Sequence, residues 1–179
     1  SAFGATILSN TYKDGVGAIE FDAPITTIGN EAFYKCSSLT SVTIGDSVTT
    51  IGDSAFAWCY CLTSVTIPDN VTIIGRYAFY YCSSLTSVTI GDSVTKIGCR
   101  TFLYCWGLTS VYCKAVTPPT PILDDNGYWN AFDNNAAGRK IYVPTESVDA
   151  YKNADGWKSY ANYIEGRCRI AKQLRFYRF

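Results

Sequence analysis

Four cysteines recur at a fixed interval of 23 residues: Cys36, Cys59, Cys82 and Cys105. Cys61, Cys99, Cys113 and Cys168 stand outside that column. A thiol can ligate a metal, cross-link, attack an electrophile or pack as a small hydrophobe. A zinc site wants two clusters of paired cysteines, and the only close pair is Cys59-x-Cys61. No histidine is present to complete it. The same lack removes every Ser-His-Asp and Cys-His nucleophile system. An enzyme would need a carboxylate pair or a thiolate aided by lysine. The recurring acids Asp46, Asp69 and Asp92 read as turn residues instead. A disulfide ladder is sterically open, because bridged Cα atoms lie about 4.4–6.8 Å apart and stacked coils about 5 Å apart. A column of four would, however, need every second gap bridged. Reduced packing is the preferred reading of the column and disulfides the second; no metal or cofactor is expected. Cys61 and Cys99 are expected at the surface.

Two weaker motifs carry little. Asp124–Gly127, "DDNG", offers calcium-type ligands without the spacing of a calcium loop, so a turn is expected. Asn70 opens an N-V-T glycosylation sequon.

Composition narrows the partners. The chain has 179 residues with 47% hydrophobic content and zero formal charge. The charge is uneven: residues 1–164 hold 10 basic and 14 acidic side chains. The last fifteen carry Arg167, Arg169, Lys172, Arg175 and Arg178 against Glu165 alone. A mildly acidic body gives no footprint for nucleic acid. No apolar run approaches the ~20 residues of a membrane span. The opening "SAFGATILSN" lacks the form of a signal sequence. With no methionine anywhere, a processed or trimmed chain is expected.

The elements that carry the cysteines follow the same period. Gly29, Gly52, Gly75 and Gly98 keep it, as do Phe33, Phe56, Phe79 and Phe102, and Leu39, Leu62, Leu85 and Leu108. Ile19, Phe21 and Ile25 extend it backwards in degraded form. "LTSVTI" reads as a short strand with one buried face. "GDS" or "PDN" is a turn. "VTTIG" is a second extended piece, closed by a glycine expected at positive φ. "DSAFAWC" suggests one helical turn with Asp or Ser as its cap. One such unit cannot bury its own apolar side, so units must stack into an α/β repeat solenoid. The boundaries predicted are 1–113 for the solenoid with its N-terminal edge, regular from about residue 16; 114–164 for a loop, a closing strand and a helical cap; and 165–179 for a basic tail, read first as foreign to the domain and second as a membrane-surface or partner-binding segment.

Two columns are candidate contact surfaces. Ser41, Thr43, Ser64, Thr66, Ser87 and Thr89 alternate with buried Val and Ile, and should line an exposed sheet face. Tyr34, Trp58, Tyr81 and Tyr104, with Trp106 nearby, lie between the buried Phe and Cys positions. They should form an outward aromatic ridge, of the kind that binds proteins and stacks on sugars.

The unit "IGxxAFxxCxxLTSVTIxxxVTxIG" resembles the BspA-type leucine-rich repeat family from Val16 to Cys113. Thr101 in place of Ala and Cys113 in place of Ile depart from it. The resemblance implies a right-handed leucine-rich repeat solenoid with short parallel strands. It also implies a non-enzymatic binding module, extracellular or on a bacterial cell surface. The partner would be an unknown extracellular protein or glycan, met by a monomer with no membrane span and no contact with nucleic acid. A structural spacer within a larger surface protein is the rival reading.

Overall fold

The computed structural model describes residues 3, 5–13 and 16–168. The chain begins with an antiparallel hairpin of β1 (Ile7–Lys13) and β2 (Val16–Phe21). It then alternates between two sheets. β3 (Thr27–Ile28) and β4 (Thr50–Ile51) join the first sheet, and β5 (Ser64–Ile67) the second. β6 (Ile73–Ile74), β8 (Lys96–Gly98) and β10 (Thr120–Ile122) continue the first. β7 (Ser87–Ile90), β9 (Ser110–Cys113), β11 (Lys140–Pro144) and β12 (Ile164–Arg167) continue the second. All pairs within both sheets are parallel, and the repeat is their register: Ile51 faces Ile74, and Val65 faces Val88. The fold is the repeat solenoid that the sequence implied.

The core fills the space between the sheets. Leu62, Leu85 and Leu108, Val65, Val88 and Val111, and Ile51, Ile74 and Ile97 are all buried. Phe33, Phe56, Phe79, Phe102 and Phe132 stack face to face, with centroids 5.1–5.5 Å apart and planes within 7°. Phe3 closes this spine at the N-terminal end, 5.8 Å from Phe33. Each ring buries roughly 150–250 Å² and dominates the core energetically.

Four local expectations need correction. Among the described residues only Gly127 and Gly156 are glycines with positive φ. The repeated glycines serve close approach instead. A Cβ on Gly75 would lie 2.5 Å from the Gly52 carbonyl carbon, and one on Gly98 only 2.3 Å from the Arg76 nitrogen. The positive φ falls on non-glycine residues of the corner that follows: Ser54 (55°) and Trp58 (65°), then Tyr77 (57°) and Tyr81 (61°). This corner is therefore a run of turns, not a helical turn. Alternate N–H groups face the next coil: those of Ser54, Phe56 and Trp58 donate to the carbonyls of Arg76, Ala78 and Tyr80 at 2.7–2.8 Å. The capping expectation shifts by one coil, since Asp53 accepts from the Arg76 N–H at 2.7 Å. Finally, Cys99 is buried, with the fifth coil laid over it and its N–H bonded to the Ile122 carbonyl.

The ends differ from the middle. In the first coil the "LTSVTI" stretch forms no strand. Residues 16–21, which would flank it, pair antiparallel with β1 instead. At the other end, residues 114–144 add a longer fifth coil: β11 pairs with β9 at an offset of 30, as in Ile141 with Val111. Trp129, Ala131 and Asp133 accept the N–H groups of Arg100, Phe102 and Tyr104, so "WNAFDN" occupies the place of a corner. A short 3-10 turn at Thr145–Ser147 precedes α1 (Val148–Asn153), and Thr145 makes no capping bond. Gly156, at φ 75°, turns the chain so that Trp157 and Tyr160 close the core. Trp157 Nε1 donates to the Pro119 carbonyl and Tyr151 Oη to that of Ala115. Glu165–Arg167, expected as the start of the tail, belong to β12, and residues 169–179 lie outside the described residues.

Candidate binding surface

The corner between the two sheets presents the ridge. In each coil the residue two positions after the spine Phe is held at positive φ; in the three middle coils it is an aromatic, Trp58, Tyr81 or Tyr104, and in the first and fifth it is Lys35 and Asn134. Trp58 and Tyr81 stack at 4.2 Å with a 19° interplanar angle. Tyr81 reaches Tyr104 at 5.4 Å and Trp106 at 4.9 Å. Tyr60 meets Trp58 at 5.8 Å and Tyr81 at 6.1 Å. Tyr80 fills the space between Trp58, Tyr81, Tyr104 and Tyr77. The result is one continuous cluster of seven rings. Trp58, Tyr77, Tyr80, Tyr81 and Tyr104 are half-buried in it, while Tyr60 (38%) and Trp106 (51%) stand exposed.

Four of the five predicted ridge residues thus come together. Tyr34 does not join them. It is 40% exposed, in register with Ala57 and Tyr80 and not with Trp58, and Ala57 interrupts its column. Its ring is covered by the Lys35 ammonium at 5.1 Å. Tyr60, Tyr77 and Tyr80 escaped sequence reasoning. The period does hold the signal, since Tyr60 and Trp106 share one position with Ser83 between them.

The cluster is electrically quiet. Burial, then the neighbouring phenols of Tyr104, Tyr81 and Tyr77, push the Tyr80 hydroxyl above its ordinary range. The Arg100 guanidinium lies over the Tyr77 ring and donates to its hydroxyl. Its other nitrogen pairs with Asp124 at 2.7 Å. Asp124 is held below the usual carboxylate range first by the Tyr128 N–H, then by that of Asn126 and by Arg100. The "DDNG" acid is therefore the anchor of a turn. Among the described residues no three metal-ligating side chains converge.

The predicted hydroxyl face lies on the next stretch of each coil. Ser64 and Thr66 of β5 are exposed, and Ser87 and Thr89 of β7 are half-buried. Ser41 and Thr43 are exposed but sit on no strand. Toward the C-terminus the face changes character. Tyr112 and Tyr142 stack at 5.1 Å, Arg167 covers Tyr112 at 4.7 Å, and Lys140 pairs with Glu165. A different threonine column is structural: Thr63, Thr86 and Thr109 each donate to the carbonyl of the threonine 23 residues earlier.

The cysteine column has a polar role as well as a packing one. The thiols of Cys59, Cys82 and Cys105 donate to the carbonyls of Phe33, Phe56 and Phe79 at 3.2–3.3 Å. In the fifth coil Asn135 makes the equivalent bond, Nδ2 to the Phe102 carbonyl, at 2.8 Å. Burial, with Cys36 alongside, pushes the Cys59 thiol up to about 12. None of the eight cysteines forms a disulfide; Cys61 is exposed as expected, and Cys36, expected in the packing column, is exposed as well.

The model of the BspA type leucine rich repeat region matches residues 6–118 in six copies. The chain belongs to the BspA-type leucine-rich repeat family. One solved bacterial protein shares its fold, and others resemble it more distantly. The pneumococcal vaccine antigen PcpA is 20% identical with a TM-score of 0.55, over 79% of this chain and 39% of that one. The chain therefore spans well under half of that antigen. A Treponema pallidum leucine-rich repeat protein (T. pallidum TpLRR) is 23% identical over 82% of this chain and 80% of its own, with a TM-score of 0.43. A Bacteroides ovatus leucine-rich repeat protein is 20% identical over 82% and 60%, with a TM-score of 0.33. No curated protein sequence matches this BspA-type chain significantly. Among its described residues no helix is long and apolar enough to cross a membrane.

Proposed function

We propose that this BspA-type chain is a non-enzymatic binding module of a bacterial cell surface. It acts as a monomer and holds an extracellular macromolecule against the aromatic corner. The observation that carries the reading is the seven-ring cluster, whose outer members Tyr60 and Trp106 remain exposed. Tyr and Trp supply large contact area with little side-chain entropy to lose, and are enriched at binding hot spots. The hydroxyls of Ser64, Thr66, Ser87 and Thr89 flank the corner along the chain and add neutral hydrogen-bonding groups. A panel of extracellular matrix proteins and glycans, presented to the immobilised chain, tests this. Retention that disappears in Trp106→Ala supports the corner; silence across the panel removes it.

A second reading has its own observation. Both sheets and the corner bond coil to coil, which makes a stiff rod suited to spacing other domains. A panel without binders favours that spacer.

A further inference from the structure

Tyr60 and Trp106 hold the same position in coils two repeats apart, and Ser83 holds it in the coil between. The spine rings of these coils are separated by 5.1 and 5.3 Å. Two coil spacings therefore place the outer rings about 10 Å apart along the solenoid axis. Tyr81 rises between them, edge-on to Tyr60 at 82° and to Trp106 at 70°, and is itself backed by Trp58. The surface reads exposed ring, half-buried ring, exposed ring, with Tyr81 bracing both outer rings at their bases.

That interval matches a particular polymer. In a β-1,4-linked glycan successive pyranoses are turned over, so every second sugar presents the same C–H face downward. Every second sugar is one disaccharide along the chain, the distance spanned by two coils. The electron-rich face of an aromatic ring accepts such C–H bonds, and a Tyr hydroxyl at the ring edge meets the sugar's own hydroxyls. The turned-over sugar between them passes over Tyr81, which is half-buried and less exposed than either outer ring. Charge agrees with a neutral polymer: the Arg100 guanidinium over the cluster is already held by Asp124.

We propose that the aromatic corner is a platform for a neutral β-1,4-linked glycan lying along the solenoid axis, with one sugar on Tyr60 and the next but one on Trp106. This rests on the corner being the contact surface.

The test titrates the full chain with cellohexaose and chitohexaose, and with maltohexaose as the α-1,4-linked control, by calorimetry and tryptophan fluorescence. A β-1,4 hexasaccharide is expected to bind at least about tenfold more tightly than maltohexaose. Trp106→Ala and Tyr60→Ala are each expected to weaken it at least about tenfold, the loss of one stacked ring, with unchanged thermal melts. Equal affinity for α- and β-linked chains overturns the proposal, as does full affinity in both variants. If no hexasaccharide binds but an extracellular protein does so through Trp106, the glycan is overturned and the corner stands. If neither binds, both readings fall.

Discussion

Two sets of aromatic rings mark this molecule: an inner spine that runs through all five coils and an outer cluster on the three middle ones. The inner spine is phenylalanine in every coil, stacked at 5.1–5.5 Å with planes within 7°. The outer corner mixes Tyr and Trp at interplanar angles from 19° to 82°. From Phe33 to Trp106 both obey the same 23-residue period. The difference follows from what touches each ring. Inside, every neighbour is a copy of the same coil, so one residue and one rotamer repeat. Outside, one flank faces water, and the rings lean on adjacent columns as their shapes allow. Regularity marks where the protein binds itself, and irregularity marks where it has surface to offer.

Substitutions can break that contrast. Phe79→Ala removes a fully buried spine ring and should lower unfolding stability by about 3–5 kcal/mol in urea melts. If Trp106→Ala destabilises as much, inside and outside are not different in kind. Gly75→Ala sharpens the point without touching a ring. Its methyl would meet the backbone of the preceding coil at 2.5 Å, so a loss of about 1–3 kcal/mol is expected from the coils being forced apart.

The thiols test the inside by pH. Burial moves Cys59 from 9.0 to about 12 and moves Cys82 and Cys105 up as well. The folded thiol stays protonated where the unfolded one ionises, so the unfolded chain binds fewer protons. Stability should therefore fall as pH rises from about 9 to 12, by up to about 1.4 kcal/mol per unit for each buried thiol. Urea melts of wild type and Cys82→Ala across that range isolate one thiol, and equal slopes would contradict the assignment. Thiol labelling of the native protein should modify Cys61 far faster than Cys59. The smallest stability effect is expected at the surface itself: Trp106→Ala should shift unfolding by no more than about 0.5 kcal/mol.

Much of the solenoid was legible because one period governs strand, turn and core alike. Val65, Ile67, Leu62, Phe56 and Cys59 all fall inside as their spacing requires. What escaped depends on relations between coils. The glycines looked like local turn residues, yet their demand comes from backbone one coil away. The corner's alternating pattern of hydrogen bonds is likewise invisible within a single unit. The fifth coil hid behind an insertion and the loss of its cysteine, although Asn135 makes the same bond with an amide. The ring cluster was half legible: Trp58, Tyr81 and Tyr104 share a column, but Tyr60, Tyr77 and Tyr80 enter from neighbouring columns.

The ladders that join the coils also fix how the molecule answers a pull. Their hydrogen bonds point along the solenoid axis, so tension on the two ends loads them lengthwise and opens one interface at a time. Each released regular coil frees 23 residues, about 75–80 Å of chain when fully extended. Under load the regular coils are expected to let out chain in equal steps and the longer fifth coil in a larger one, while the coils that remain keep their surfaces.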